Sequence, residues 1–118
     1  MSIYLNLVVI QSSNPVKSVS FYEKLGLVFN QEKHGKGPEH YACKLDKLIF
    51  EIYPTSKEGT SNMMRIGFTV IHLDEIMESI RSSDAYIITE PTISPWGKRA
   101  VVQDPDGYKV ELIEPLDI

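Results

Sequence analysis

Four polar side chains interrupt otherwise apolar, strand-like segments of the sequence, and they are of types that bind ligands or transfer protons. They are Asn6, Glu51, Arg65 and Glu111. A carboxylate among apolar side chains can act as a general base or bind a metal, and a guanidinium can bind a carboxylate or a phosphate. Successive residues of a strand point to opposite faces of a sheet. Each of the four therefore falls on a mixed face, opposite a face that is uniformly apolar.

The mixed faces have two interpretations. An antiparallel sheet often exposes one face to water, and polar residues are then expected to alternate outward. The neighbours of the four residues are too apolar for a plainly solvated face, however: Val8, Ile10, Ile49, Tyr53 and Ile113. Large apolar residues with a few convergent polar groups are typical of a concave ligand site. A curved sheet whose mixed face lines a hollow agrees with both observations.

The elements that must position these residues occur twice in the same order. Strands are predicted over 3–10, 27–30, 40–45 and 48–53, with a helix that begins at Asn14-Pro15, an N-cap followed by a favourable first helical residue. After a linker over 54–62, strands are predicted over 64–71, 86–88, 99–103 and 108–113. A second helix has apolar residues at i, i+3, i+4 and i+7 from Leu73.

This repeated order predicts one domain, 1–118, made of two modules at about 1–55 and 63–118. Residues 6–9 align with 65–68 at an offset of 59, and residues 50–52 align with 110–112 at an offset of 60. Two ends of a module in nearly the same register favour paired structural repeats.

Composition and charge exclude several classes of protein. Hydrophobic residues make up 42% of the 118 and charged residues 24%, a usual globular mixture. The net charge is −4 and no basic stripe occurs, which disfavours a nucleic-acid partner. The longest apolar runs are far too short to span a bilayer, so no membrane partner is expected. With a single cysteine, Cys43, and no leader-like N-terminus, we expect a soluble cytoplasmic protein.

Two segments carry a resemblance to a known family. The helix segment 20–27 (SFYEKLGL) and the ending 104–112 (DPDGYKVEL), together with the paired modules, resemble the vicinal oxygen chelate (VOC) superfamily. That superfamily includes glyoxalase I, bleomycin- and fosfomycin-resistance proteins and extradiol dioxygenases. The resemblance implies an α+β fold of two βαβββ modules, whose curved, mostly antiparallel four-stranded sheets surround a cavity. It also implies a small-molecule ligand and a homodimer, with the cavity either within one chain or between two.

The resemblance further implies a divalent metal held by the first and last strands of each module. In this sequence those positions are Asn6 (or Leu7, one residue later), Glu51, Arg65 and Glu111. Arginine is always protonated and has no lone pair to donate, and asparagine offers only a neutral carbonyl oxygen. Two carboxylates beside a fixed positive charge make a poor transition-metal site. We therefore expect no catalytic metal and no other cofactor.

Three functions remain open at this level. The first is a glyoxalase/bleomycin-resistance-like protein that binds a small molecule without a catalytic metal. Its predicted ligand contacts are Asn6, Glu51, Arg65, Trp96, Lys109 and Glu111. The second is a VOC-type enzyme, such as a lyase, an isomerase or a dioxygenase-like protein, with Glu51 or Glu111 as base or metal ligand. The third is a structural dimer whose cavity is filled by side chains.

The remaining candidate residues have an ordinary interpretation beside a functional one. Arg65 either forms an internal salt bridge with a carboxylate or presents its guanidinium to an anionic ligand. Trp96 either pins a hairpin or stacks on a ligand at the cavity mouth. No two of the three histidines, His34, His40 and His72, have helical or hairpin spacing suited to a metal, so surface or packing roles are expected.

Overall fold

A computed structural model describes residues 5–57 and 64–116 as two helices and eight strands. The first βαβββ set consists of β1 (Leu7–Ser12), α1 (Pro15–Glu23), β2 (Asn30–Glu32), β3 (His40–Leu45) and β4 (Leu48–Pro54). The second set consists of β5 (Arg65–Thr69), α2 (Leu73–Arg81), β6 (Tyr86–Ser94), β7 (Gly97–Gln103) and β8 (Lys109–Glu114). The predicted α+β fold class with two βαβββ modules is confirmed.

The chain divides into two compact units, Met1–Thr60 (unit 1) and Ser61–Ile118 (unit 2). Each unit holds one mixed four-stranded sheet, with strand order β1-β4-β3-β2 in unit 1 and β5-β8-β7-β6 in unit 2. β1 pairs with β4, and β5 with β8, in parallel, whereas the other strand pairs are antiparallel. The first and last strands of each unit therefore lie side by side.

Helix α1 covers the apolar face of the unit 1 sheet. The Asn14 side chain accepts a hydrogen bond from the Lys17 N–H at 3.2 Å, and Pro15 occupies the first turn, as predicted. The ring of Tyr22 meets that of Phe50 on β4 edge to face, with centroids 5.1 Å apart. Such aromatic pairs add to the area that they bury, so they anchor the helix on the sheet.

Helix α2 covers the apolar face of the unit 2 sheet with its predicted apolar residues, which are buried: Leu73, Ile76, Met77 and Ile80. The N–H of Leu73 donates to Glu114 Oε1 on β8 at 2.6 Å. A carboxylate at the positive end of the helix dipole is favourable, so this bond joins α2 to the sheet. Within the described residues neither helix is long and apolar enough to cross a membrane.

Several strands differ from their predicted bounds, among them the edge strands β2 and β6. β2 covers Asn30–Glu32 rather than 27–30, and β6 runs for nine residues over Tyr86–Ser94 rather than 86–88. β6 contains Pro91 and shifts register twice against β7. An edge strand tolerates a proline and bulges because only one side must hydrogen-bond. The strand therefore continues through the proline, whereas the sequence predicted that it ends before it.

Candidate functional site

The register of the parallel ladders decides which residue of β1 lies beside Glu51. Val9 pairs with Glu51 and Leu7 with Ile49, while in unit 2 the equivalent rungs pair Gly67 with Glu111 and Arg65 with Lys109. Leu7 is thus the counterpart of Arg65. The placement of Asn6 on this face was wrong by one residue, and the alternative position, Leu7, is the one the ladder supports.

The two faces of β1 are also the reverse of those expected. Leu7 and Val9 are 49% and 43% exposed, whereas Ile10 and Ser12 are fully buried toward the helix. β1 carries apolar residues on both faces, so alternation alone gave no sign of which face meets α1. Asn6 lies exposed just before the strand, where its carbonyl oxygen accepts a hydrogen bond from the N–H of Ile49 at 2.9 Å.

Unit 2 contains a cavity on the mixed face of its sheet, which we name the unit 2 cavity. Its volume is about 530 Å³. Seven residues from β5, β6, β7, β8 and the β6–β7 turn line it: Arg65, Thr92, Ser94, Trp96, Arg99, Glu111 and Ile113. Three of the residues predicted as ligand contacts are therefore brought together, namely Arg65, Trp96 and Glu111.

Glu111 already has a charged partner, and that partner is Arg99. Arg99 Nε donates to Glu111 Oε1 at 2.5 Å, and the two side chains are 25% and 23% exposed. The pattern of residues along the strands had favoured Arg65 as a partner for a carboxylate and gave no sign of Arg99. Among the described residues of its own unit, Arg65 makes no ion pair. Its side chain lines the cavity, and no carboxylate among the described residues of unit 2 lies within ion-pair distance of it.

The β6–β7 turn holds Trp96 at the edge of the cavity. Ser94 Oγ accepts a hydrogen bond from the Trp96 N–H at 3.2 Å and donates to the Gly97 carbonyl oxygen at 2.7 Å, which fixes the turn. The indole is largely exposed, so it contributes little to the core. Lys109 lies on the rung beside Arg65 and is exposed, but it is outside the cavity lining.

Glu51, in unit 1, belongs to a second polar cluster that the sequence analysis missed. His40 is buried, with Nε2 3.7 Å from Glu51 Oε2 and 3.5 Å from Glu32 Oε1. The Nε2 atom of His34 lies 3.5 Å from the same Glu32 oxygen. His34 and His40 were expected to have surface or packing roles. His34 is exposed and His40 is buried against Tyr53, but the two rings also lie together beside Glu32.

The cluster forms because of two features that spacing along the sequence does not express. β2 and β3 are antiparallel, and this pairing places Glu32 directly opposite His40. Between them the chain turns back at 34–37, where the Gly37 N–H donates to the His34 carbonyl oxygen at 3.0 Å. The predicted strand 27–30 ended before Glu32. Extending it by two residues would have exposed the pairing.

The metal implied by the family does not fit the four strand positions, judged by the chemistry of their donors. Leu7 has no donor atom and Arg65 is a cation without a lone pair. Glu111 is ion-paired with Arg99. Only Glu51 remains as an ordinary ligand, so no chemistry is assigned to a metal at these four positions.

Comparisons with known proteins agree with this architecture. One solved structure is TnmS3, an antibiotic binding protein from Streptomyces sp. CB03234, which is 20% identical with a TM-score of 0.72 over 98% of this chain and 99% of that chain. The oxidase ChaP-H2 is 16% identical, with a TM-score of 0.78 over 98% and 96% of the two chains. At these identities the likeness concerns the fold alone.

A third structure is a glyoxalase/bleomycin resistance protein/dioxygenase family enzyme from Burkholderia phytofirmans PsJN, 17% identical, with a TM-score of 0.73 over 94% of this chain and 98% of that one. No curated protein matches the sequence. The family model of the Glyoxalase/Bleomycin resistance protein/Dioxygenase superfamily matches residues 4–112. The resemblance inferred from the sequence is confirmed, and the chain belongs to this superfamily.

Proposed function

We propose that this protein binds a small anionic molecule in the unit 2 cavity, without the metal used by other members of its superfamily. The observation that carries the proposal is the Arg65 guanidinium, which lines the cavity with no ion-pair partner among the described residues of its unit. A guanidinium presents a planar set of donors that matches a carboxylate or a phosphate. The cavity volume of about 530 Å³ is within the usual range for small-molecule sites.

The rest of the lining favours a ligand with a planar apolar body beside its anionic group. Trp96 and Ile113 supply apolar surface, and the exposed indole is free to stack on a ring. Arg99 compensates the charge of Glu111, so the three charged side chains of the lining sum to one positive charge. A neutral or cationic ligand would not compensate the positive charge of Arg65.

The test compares two ligands that differ only in charge. Thermal denaturation is followed with 2-naphthoate and with 2-naphthamide, using the wild type, R65A and a control, K44A. Lys44 is an exposed residue on β3 in unit 1, so the control removes the same charge from a residue outside the cavity lining. We expect 2-naphthoate to stabilise the wild type and K44A more than 2-naphthamide does, and R65A to lose this preference. Equal stabilisation by both compounds, or an unchanged R65A, would contradict the proposal.

An enzyme remains the second candidate because of one atom in the cavity. Glu111 Oε1 accepts from Arg99, whereas its other carboxylate oxygen has no hydrogen-bond partner among the described residues and lies beside Gly67, which has no side chain. Such an oxygen can accept a proton from a bound substrate. Mass spectrometry of any stabilising compound after incubation would distinguish the two functions. Chemical conversion that is lost in E111Q supports the enzyme, and unchanged recovery supports the binding protein.

We also infer a homodimer, with β1 at the interface. β1 is an edge strand, and it exposes the apolar side chains Leu7 and Val9 on one face. An edge with unpaired backbone groups and apolar side chains is a template for a second copy of the chain. Light scattering should give twice the chain mass of 13.4 kDa for the wild type. L7E should be monomeric, whereas V16E, which changes an exposed apolar residue on α1, should remain dimeric.

A further inference from the structure

His40 presents a ring nitrogen that has no hydrogen-bond partner in the part of the chain that the structure describes. The imidazole is 1% exposed and stacks on Tyr53, with ring centroids 4.2 Å apart. Its Nδ1 lies 3.2 Å from the Pro38 carbonyl oxygen, which only an N–H can satisfy. The neutral ring therefore carries its proton on Nδ1, and Nε2 is a buried lone pair without a hydrogen-bond partner.

That lone pair faces two carboxylates rather than a donor. Nε2 of His40 is 3.5 Å from Glu32 Oε1 and 3.7 Å from Glu51 Oε2, distances longer than a hydrogen bond. Among the described residues neither glutamate has a lysine or arginine partner. With a neutral imidazole, the lone pair of Nε2 and those of the two carboxylates converge here, an arrangement that a cation would stabilise.

Three distances between donor atoms in this cluster are close to the distance between two ligands of a tetrahedral metal ion. Zn²⁺ bonds to nitrogen and oxygen are about 2.0–2.1 Å long, which places the ligand atoms of a tetrahedral site about 3.3–3.4 Å apart. Nε2 of His34 and Nε2 of His40 each lie 3.5 Å from Glu32 Oε1, and His40 Nε2 lies 3.7 Å from Glu51 Oε2. The donor atoms of Glu32, His34 and His40 all lie within 4.8 Å of one another. A metal-binding histidine also commonly donates its other N–H to a backbone carbonyl, as His40 does.

The equivalent position in unit 2 shows what the cluster lacks. Ala42 pairs with Glu51 and Val101 pairs with Glu111, so His40 and Arg99 each lie two residues before the partner of the glutamate. Arg99 supplies a permanent positive charge to Glu111 through a hydrogen bond. His40 supplies only a lone pair to Glu51. A bound cation would give Glu51 the compensation that Arg99 gives Glu111.

We propose that Glu32, His34 and His40 bind a divalent transition-metal ion of the Zn²⁺ class. Glu51, whose Oε2 lies 3.7 Å from His40 Nε2, turns toward the ion and becomes the fourth ligand. Imidazole and carboxylate donors suit this class of metal. With four protein ligands the site is closed, which is the form of structural rather than catalytic zinc sites. The ion ties the 34–37 turn to β3 and β4, and it stabilises the folded chain by mass action. The site lies in unit 1 and does not depend on the ligand proposed for the unit 2 cavity.

The experiment uses untagged, chelator-treated protein titrated with Zn²⁺ and with Co²⁺ alone. Calorimetry should give one ion per chain, and Zn²⁺ should raise the melting temperature. His34 is 72% exposed, so H34A should fold normally, yet its affinity should fall at least about tenfold. The control is H72N, because His72 is exposed, lies in unit 2 and has a positive φ of 58° that asparagine tolerates. H72N should bind as the wild type does.

The absorption spectrum of bound Co²⁺ provides a second readout that is independent of stability. A four-coordinate Co²⁺ ion absorbs visible light far more strongly than a six-coordinate one, so a strong band is expected, and it should weaken in E51Q. Absence of binding would overturn the proposal. Equal affinities for H34A and the wild type, or an equal loss in H72N, would also overturn it. A weak, six-coordinate spectrum would refute the closed four-ligand site.

Discussion

Breaking the ion pair between Arg99 and Glu111 should destabilise the protein and reveal strong coupling between the two side chains. Both are about three-quarters buried, so the pair lies between two limits. Exposed pairs contribute about 0.2–1 kcal/mol, and removing one partner of a fully buried pair costs about 3–5 kcal/mol. We therefore expect R99M and E111Q each to lower the free energy of unfolding by about 2 kcal/mol. The double variant should recover about 1–2 kcal/mol of the summed loss.

Urea denaturation of the wild type, both single variants and the double variant measures this coupling. The neighbouring pair Lys98–Asp74, with Nζ 2.8 Å from Oδ1, provides a matched control, since both of its side chains reach solvent. Its double-mutant cycle, K98M with D74N, should show a smaller coupling because water and salt screen exposed charges. Additive single effects at Arg99 and Glu111, within about 0.3 kcal/mol, would refute the role assigned to this pair.

Three further predictions concern stability and reactivity. G97A should lower the free energy of unfolding by more than about 2 kcal/mol, because a Cβ at this φ of +134° would lie 2.4 Å from the Glu114 carbonyl oxygen. G35A, with open space around it, should lower this free energy less in the same urea titration. D104A should have a free energy of unfolding about 2 kcal/mol lower than that of D104N, since Asp104 Oδ1 accepts hydrogen bonds from two backbone N–H groups of its turn. Equal urea midpoints for the two variants would contradict this. Burial raises the pKa of the Cys43 thiol from 9.0, so a thiol reagent at pH 8 should react at least about tenfold faster with the protein unfolded in urea than with the folded protein. For the same reason the free energy of unfolding should fall as the pH rises above 9.0, where the unfolded chain loses the thiol proton first.

Much of the fold follows from the sequence because local rules and packing agree there. The Asn14-Pro15 start of α1 and the apolar positions of α2 occur as predicted, since a cap and a 3.6-residue period leave few alternatives. The bounds of β2 and β6 were wrong because both are edge strands, where pairing on one side permits polar residues and a proline. Their extent is decided by the neighbouring strand rather than by their own residues.

The candidate sites were predictable only in part, for the same physical reason. Alternation along β5 and β8 placed Arg65 and Glu111 on one mixed face, and the structure brings both into the unit 2 cavity. Alternation could not find Arg99, which reaches Glu111 from β7, because cross-strand register is a property of two segments. The placement of Asn6 was wrong for a related reason: β1 is apolar on both faces, and shifting the register of the strand by one residue exchanges the two faces.

The two units compensate the charge of an equivalent glutamate in different ways, with different side chains at the same ladder position. Each sheet carries a partly buried glutamate on its last strand, and the adjacent strand offers a nitrogen-bearing side chain two residues before the glutamate's partner. In unit 2 that side chain is Arg99, whose charge is permanent, so Glu111 is compensated and Arg65 remains available to an anionic ligand. In unit 1 it is His40, whose neutral imidazole carries no charge, so the metal ion that we propose would compensate Glu51. Replacing the permanent charge in R99H should therefore weaken the ion pair with Glu111 at neutral pH. Zn²⁺ should not compensate Glu111 in this variant, because the described residues of unit 2 offer no counterpart to Glu32 and His34 as further ligands.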